Sequence, residues 1–432
     1  MVRLTFTRSQ VDRIALEFFA TVLFFLFIYA PDFVYFPFNV TYFIVLLAGS
    51  YFFYGQNFQR LLDFLGKKSL FTFILFYLFS TLYLIVVPLI SEWPFDATFL
   101  MTNIRLLIDI LVVIPFFVLL FSYDLDYKMI DVLKLLVKIG VAQGVFAVLM
   151  FVIPGMRDFV FNYLIKMPSE KLIDQPYRGY GLSGDFYFSS PLFQALVFVV
   201  NTVLYLMHSK KRYLLYFPFI LLSMILNARV SVVVIPVFFA VIFVATFYFD
   251  NLRWLRKFSG LSLFFIMAGS LVVVYFMLNP EKAQSLIWVM EGIIGGISAM
   301  SGNLTDSKTF SIILQGHLHL PTRPFHVWFG EGLVVFGNLN SPVRSDLGYI
   351  RYIYYGGIVL SLLFYFTIIS FVLNRIINTA EPLLKILLLT LLVTTFVVHF
   401  KGDIFNSSAF LKGFLVLTMF TLLEKNNRRQ YA

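Results

Sequence analysis

The sequence predicts an all-α polytopic membrane protein of about 12 transmembrane helices. Three observations carry that expectation. Of the 432 residues, 60% are hydrophobic and only 13% are charged, against roughly 45–50% and about 25% in a soluble domain. Apolar runs of roughly 17–22 residues recur along the whole length, enough for a helix to cross a bilayer. Lys and Arg gather in alternate connections between those runs, the pattern that orients spans in a membrane. An ordinary water-soluble enzyme and a disordered chain are both excluded. The net charge of +10 belongs to the span-flanking residues, so no nucleic-acid partner is expected. Cysteine is absent, which excludes disulfides, a thiol nucleophile and Cys-ligated metal.

In chain order, the expected spans are 14–30, 36–53, 70–90, 104–122, 135–153, 187–207, 213–227, 230–249, 260–278, 348–373, 386–400 and 408–423. The first follows Arg3, Arg8 and Arg13. No small-residue cleavage site ends it at Tyr29-Ala30-Pro31-Asp32, so it reads as an uncleaved span. The N-terminus and the connections after even-numbered spans carry Arg60, Lys67, Lys68, Lys128, Lys134, Lys210, Lys211, Arg212, Arg253, Arg256, Lys257, Arg375, Lys385, Lys425, Arg428 and Arg429. Short connections on the other side carry Asp32, Glu92 and Asp96. Both termini are therefore expected in the cytoplasm, with the long loops 154–186 and 279–347 outside. Ser285–Met300 is apolar but short, contains Glu291 and three glycines, and reads as an interfacial or re-entrant helix. The chain, 1–432, is read as one transmembrane domain elaborated by its two long loops.

Arginines accumulate on the outward side: Arg157, Arg178, Arg229, Arg323, Arg344 and Arg351. The guanidinium fork suits phosphate or carboxylate oxygens and keeps its charge, so their convergence at a membrane surface points to a lipid-linked phosphate or a polyanion. The stretch from Tyr177 through Arg178, Gly179, Tyr180 and Gly181 to Asp185 reads either as an anion- and sugar-binding loop or as an interfacial turn. Arg229 sits between two apolar runs, as a cation facing a cavity or one snorkelling to the interface. The third patch runs from Gly330-Glu331-Gly332 through Arg344, Ser345, Asp346 and Tyr349 to Arg351, Tyr355 and Gly356-Gly357. Asp346 would fall in the first turn of a helix starting near Ser345, where capping is the plain alternative to a functional role. Gly356-Gly357 would let another helix approach. His326 or His319 could act as a base in a sugar site. His317 and His319 have no carboxylate close in sequence to complete a ligand set, and no metal is expected. No P-loop, dinucleotide fingerprint or nucleophile elbow is present, and no cofactor is expected.

At these patches the chain resembles the O-antigen polymerase and ligase superfamily of bacterial inner-membrane glycosyltransferases. Arg178 with Gly181-Leu182 and Ser190-Pro191, Ala228-Arg229, and Gly330-Glu331-Gly332 followed by Ser345-Asp346-Leu347-Gly348-Tyr349 and Gly356-Gly357 carry the likeness, in that order. Many ligase-like members have His-Asn or His-Ser where this chain has Ser345-Asp346, so the resemblance favours a Wzy-type polymerase. It implies a GT-C-like helical fold and a periplasmic active site. It also implies that one undecaprenyl-diphosphate-linked oligosaccharide is joined to another, with release of undecaprenyl diphosphate, and that a chain-length regulator is a partner. Under that reading Arg178, Arg229 and Arg351 hold the diphosphate, with Arg344 beside them. Asp346 is the base or acceptor orienter, with Glu331 and His326 as alternates. Tyr180, Tyr349 and Tyr355 contact sugars. An O-antigen ligase, another lipid-linked glycan transferase or a lipid-linked oligosaccharide flippase remain the alternatives. The unlike halves and sparse mid-span charges, Asp109 among them, count against a carrier.

Overall fold

The computed structural model of the chain describes residues 8–89, 93, 96–153, 155–166, 181–184, 188–227, 229–249, 254, 257, 260–262, 317–336, 341–405 and 408–424. The described residues are helical, with one isolated antiparallel bridge, Phe33 to Ile165, and no strand. In chain order the helices are α1 (Arg8–Tyr29), α2 (Val40–Phe52), α3 (Asn57–Leu65), α4 (Lys68–Leu89), α5 (Thr98–Asp124), α6 (Met129–Val152) and α7 (Met156–Phe159). They continue as α8 (Ser189–His208), α9 (Arg212–Asn227), α10 (Val230–Tyr248), α11 (Pro324–Phe329), α12 (Gly348–Asn378), α13 (Pro382–His399) and α14 (Ala409–Phe420). Seven of these, α4, α5, α6, α8, α10, α12 and α13, are long and apolar enough to cross a membrane. α2, α9 and α14 are shorter apolar helices. The apolar helices mark a membrane-embedded protein. The expected span at 260–278 and the segment 285–300 lie outside the described residues, apart from 260–262.

α8 is the axis of the bundle. It packs against α6, α9, α10, α13 and α14, and most of its residues are fully buried. Because lipid gives apolar side chains no reason to leave it, helices in a bilayer associate through close packing and polar clamps. Both are present. Gly140 and Gly144, one turn apart on α6, leave room for Val197 of α8 and the Phe219 backbone of α9. Gln194 Nε2 donates to the Tyr29 hydroxyl at 3.2 Å and to the Gly140 carbonyl at 3.0 Å, and Asn201 Nδ2 donates to the Tyr213 carbonyl at 2.9 Å. Along α5, Pro115 has no N–H to donate, and the helix widens into a π turn immediately before it, over Asp109–Val113.

The two ends of the bundle differ chemically. At one end basic side chains cap helix C-termini, where unpaired carbonyls and the negative dipole end both favour a cation. Arg375 donates to the Thr421 hydroxyl at 2.9 Å and carbonyl at 2.8 Å; Lys67 reaches the Leu422 carbonyl at 2.6 Å and Lys257 the Leu206 carbonyl at 2.7 Å. Burial of Lys67, with Arg375 nearby, lowers its ammonium below the ordinary lysine value. The opposite end, which the charge pattern assigns to the outside, is tied by acid–base pairs between loops. Lys166 faces Asp32 at 3.5 Å and Lys401 donates to Asp346 at 3.1 Å.

Inside the bundle, Lys412 of α14 lies 3.9 Å from Asp109 of α5. Its ammonium donates to the Phe27 carbonyl at 3.2 Å and sits 4.6 Å over the Phe27 ring. Both charged side chains are buried, at 5% and 1% exposure. Deleting one partner of such a pair strands the other's charge, whereas deleting both removes the desolvation cost as well. Lys412→Met and Asp109→Leu should therefore each destabilise the detergent-solubilised protein, by about 3–5 kcal/mol. The double variant should recover most of that loss in chemical unfolding. Additive losses in the double variant would refute the coupling.

Candidate functional site

The site is built on a break in α12. Gly357 has φ 71° and ψ −172°, which interrupts the helical ladder. Just before the break, the Tyr354 and Tyr355 carbonyls accept from the backbone N–H groups of Glu331 and Gly332, at 2.8 and 2.9 Å. A carbonyl left unpaired in an apolar bundle is costly, so the strap 330–336 completes the broken helix. Only glycine allows that fit. A Cβ on Gly357 would run into the Trp328 carbonyl, one on Gly330 would meet the Tyr355 carbonyl, and both residues have positive φ. The strap's Leu333 and Val335 pack with Leu347, Ile350 and Tyr354, and Ser345 N–H donates to the Val335 carbonyl at 3.0 Å. The Gly356-Gly357 step thus receives the last turn of α11 at Trp328 and Phe329, a helix approaching as the glycines suggested, and the strap continues from it.

Two polar groups flank this strap. Beside α13, Arg351 Nη2 lies 3.7 Å from Asp403 Oδ2, and the guanidinium stacks 4.7 Å over the Phe336 ring. The Arg351 side chain is 13% exposed and that of Asp403 is 2% exposed. Burial raises the Asp403 carboxyl above its ordinary value, against the pull of Arg351 and of the Phe405 N–H that donates to it at 3.1 Å. Behind Asp403 the enclosed His399 ring turns Nδ1 toward the carboxylate at 3.9 Å, and its Nε2 lies 2.9 Å from the Tyr365 hydroxyl. One loop turn away, Asp346 accepts from Lys401 and lies 3.5 Å from His317 Nδ1. The Arg351–Asp403 and Lys401–Asp346 pairs thus share the same short loop after α13, and the Arg344 carbonyl lies 3.2 Å from His317 Nδ1. On the other flank, His326 Nδ1 lies 3.3 Å from Glu331 Oε1, and Trp93 Nε1 donates to Glu331 Oε2 at 3.1 Å.

The structure thus brings Arg344, Asp346, Tyr349, Arg351, Glu331 and His326 to one end of the bundle, around one strap. Tyr349 is half-buried and its hydroxyl donates to the Phe396 carbonyl at 2.9 Å. Tyr355 is not a sugar-facing platform. It is wholly buried, stacked on Phe99 at 4.6 Å, with its hydroxyl on the Leu84 carbonyl at 3.3 Å. Asp346 does not cap α12, which starts at Gly348 with Leu347 as its N-cap. Arg178 and Tyr180 lie outside the described residues. The chain after them lands at this same end, where Leu182 N–H donates to Gln143 at 2.9 Å and Gly184 N–H to the Tyr29 carbonyl at 2.9 Å. Arg229 opens a short helical turn at the end of α9 remote from the basic caps, and its side chain lies outside the description. The sequence raises no expectation for Asp403 or Lys401, and none for His399 beyond its being one of five histidines. Their available signal was a His, a Lys and an Asp closing one apolar run.

Among the described residues, no three of His, Asp and Glu converge as a metal-binding group. An apolar cavity of about 350 Å³, lined by Phe239, Phe243, Thr246 and Trp254, touches none of the site residues. Gly357→Ala should undock the strap, since this φ/ψ region, essentially open only to glycine, costs another residue about 1–3 kcal/mol before the overlap is counted. Hydrogen exchange at the Glu331 and Gly332 amides should accelerate by about tenfold or more; unchanged protection would refute the docking. Comparison with family models, with curated proteins and with solved structures finds no match for this chain.

Proposed function

We propose that this chain is a Wzy-type polymerase of the bacterial inner membrane, with about 12 spans in a GT-C-like arrangement and cytoplasmic termini. It joins undecaprenyl-diphosphate-linked oligosaccharide repeat units at the periplasmic face. The observation that carries the reading is Arg351. Its guanidinium is braced on one side by Asp403 and on another by Phe336, while the side chain remains 13% exposed. A braced, partly desolvated guanidinium is suited to an oxyanion whose charge grows during reaction.

The reaction proceeds by attack of a sugar hydroxyl on the anomeric carbon of the donor glycan. The new C–O bond forms as the bond from that carbon to the diphosphate oxygen breaks. The electron pair leaves with undecaprenyl diphosphate, and Arg351 stabilises the charge that accumulates there. Arg178 and Arg229 complete the anion site in this proposal. No phosphate-activating cofactor enters, because the donor already carries its leaving group.

A second reading, a carrier of lipid-linked oligosaccharide, draws on the buried Asp109–Lys412 pair, since charges inside a bundle often line a transport path. Cells lacking the native protein and expressing variants separate the two. Arg351→Ala should cost about 10²–10³-fold in polymer formation, and Arg351→Lys should rescue poorly because an ammonium lacks the planar fork. Arg178→Ala and Arg229→Ala should each abolish the glycan ladder at unchanged membrane abundance. Full ladders from all three alanine variants would remove the polymerase reading. Lipid-linked oligosaccharide crossing reconstituted bilayers without polymer would favour the carrier.

A further inference from the structure

A glycosyl transfer of this kind needs a group to take the acceptor proton, and the carboxylates nearest Arg351 are poorly placed for it. Asp346 is held between Lys401 at 3.1 Å and His317 Nδ1 at 3.5 Å, and Asp403 is buried behind the guanidinium it braces. His399 is fully enclosed by Tyr349, Tyr352, Tyr365 and Phe405. His326 is different. Its ring is 19% exposed, on a short helix whose Phe325, Trp328 and Phe329 are exposed as a membrane-interface segment would be.

Glu331 engages His326 Nδ1 at 3.3 Å. A carboxylate on Nδ1 keeps the proton there and leaves Nε2 as the acceptor. Among the described residues, Nε2 of His326 has no hydrogen-bond partner. The carboxylate is itself fixed three ways: its second oxygen accepts from Trp93 Nε1 at 3.1 Å, its backbone N–H is pinned to Tyr354 at the helix break, and its side chain is 11% exposed. The Gly330 N–H donates to the His326 carbonyl at 2.8 Å, closing the turn that presents the ring. Base, orienting carboxylate and a clamp on that carboxylate are the parts of a general-base dyad.

We propose that His326, oriented by Glu331 and Trp93, is the base that deprotonates the acceptor hydroxyl; this rests on the polymerase reading above. The acceptor O–H bond breaks as its proton passes to Nε2, and the freed oxygen lone pair forms the bond to the anomeric carbon. The bond from that carbon to the diphosphate oxygen breaks with its electron pair. The imidazolium, held by the Glu331 carboxylate, then returns its proton to water or to the departed diphosphate.

The test uses the full chain in liposomes with undecaprenyl-diphosphate-linked repeat units, and reads turnover, KM and binding of undecaprenyl diphosphate separately. His326→Gln should lower kcat by about 10²–10⁴-fold with lipid binding unchanged, and added imidazole should restore part of the activity of His326→Ala. Glu331→Gln keeps a hydrogen-bonding side chain at the Trp93 contact, and should still lose about tenfold or more in kcat at unchanged KM. Wild-type rates in His326→Gln and Glu331→Gln would overturn the assignment and leave the polymerase reading standing. Loss of lipid binding and kcat together, without imidazole rescue, would also overturn it and make the dyad a latch for the strap. A wild-type protein that binds the lipid but forms no polymer would overturn both.

Discussion

The arrangement depends on one backbone constraint. A helix interrupted inside an apolar bundle releases carbonyls that water cannot reach, and each must find a donor within the protein. The break at Gly357 is tolerated because the strap supplies Glu331 and Gly332 N–H groups to Tyr354 and Tyr355. That requirement sets the strap's register, and the register fixes everything the strap carries. Glu331 falls beside His326 and Trp93, Leu333 and Val335 turn onto α12, and Phe336 comes to lie under Arg351. Satisfying the backbone also assembles the site.

The charged groups divide by burial. Asp403 and Arg351 form a pair whose carboxylate is sealed and whose guanidinium is not, so its cost is repaid in orientation more than in stability. Lys401 and Asp346 are more exposed and tie the loop after α13 to the entry of α12, a contact worth little energy but definite in position. At the other end, Arg375, Lys67 and Lys257 cap carbonyls. The residues that orient the spans in the positive-inside reading therefore also satisfy helix ends, one chemical reason they concentrate there.

Much of the helical layout was legible, because span length and apolar runs are local properties. The run at 135–153 falls in α6, and the run at 348–373 makes up most of α12. α3 escaped notice because its nine residues are amphipathic and lie among basic residues that read as a connection. The glycine pair does admit a helix, the end of α11, but sequence could not say that Gly357 takes a positive φ or that the following strap would pair with the freed carbonyls. Tyr355 looked like a surface aromatic until its neighbours, Phe99 and Leu84, were known. Asp403 and Lys401 were missed for a related reason: their partners, Arg351 and Asp346, lie more than fifty residues earlier, and spacing along the chain carries no trace of such pairs. The clustering of Arg344, Asp346, Arg351, Glu331 and His326 was legible because all five fall on the last long loop and the helix it enters.

The central claim is that the strap against Arg351 forms a diphosphate site facing outward. A chain with no cysteine allows a direct measurement. Phe336, 51% exposed, is replaced by Cys, and its labelling by a membrane-impermeant thiol reagent is followed in oriented vesicles. Labelling only from the periplasmic side, slowed by undecaprenyl diphosphate but not by undecaprenol, is the predicted result. Labelling only from the cytoplasmic side, or at a rate that undecaprenyl diphosphate leaves unchanged, would contradict the account.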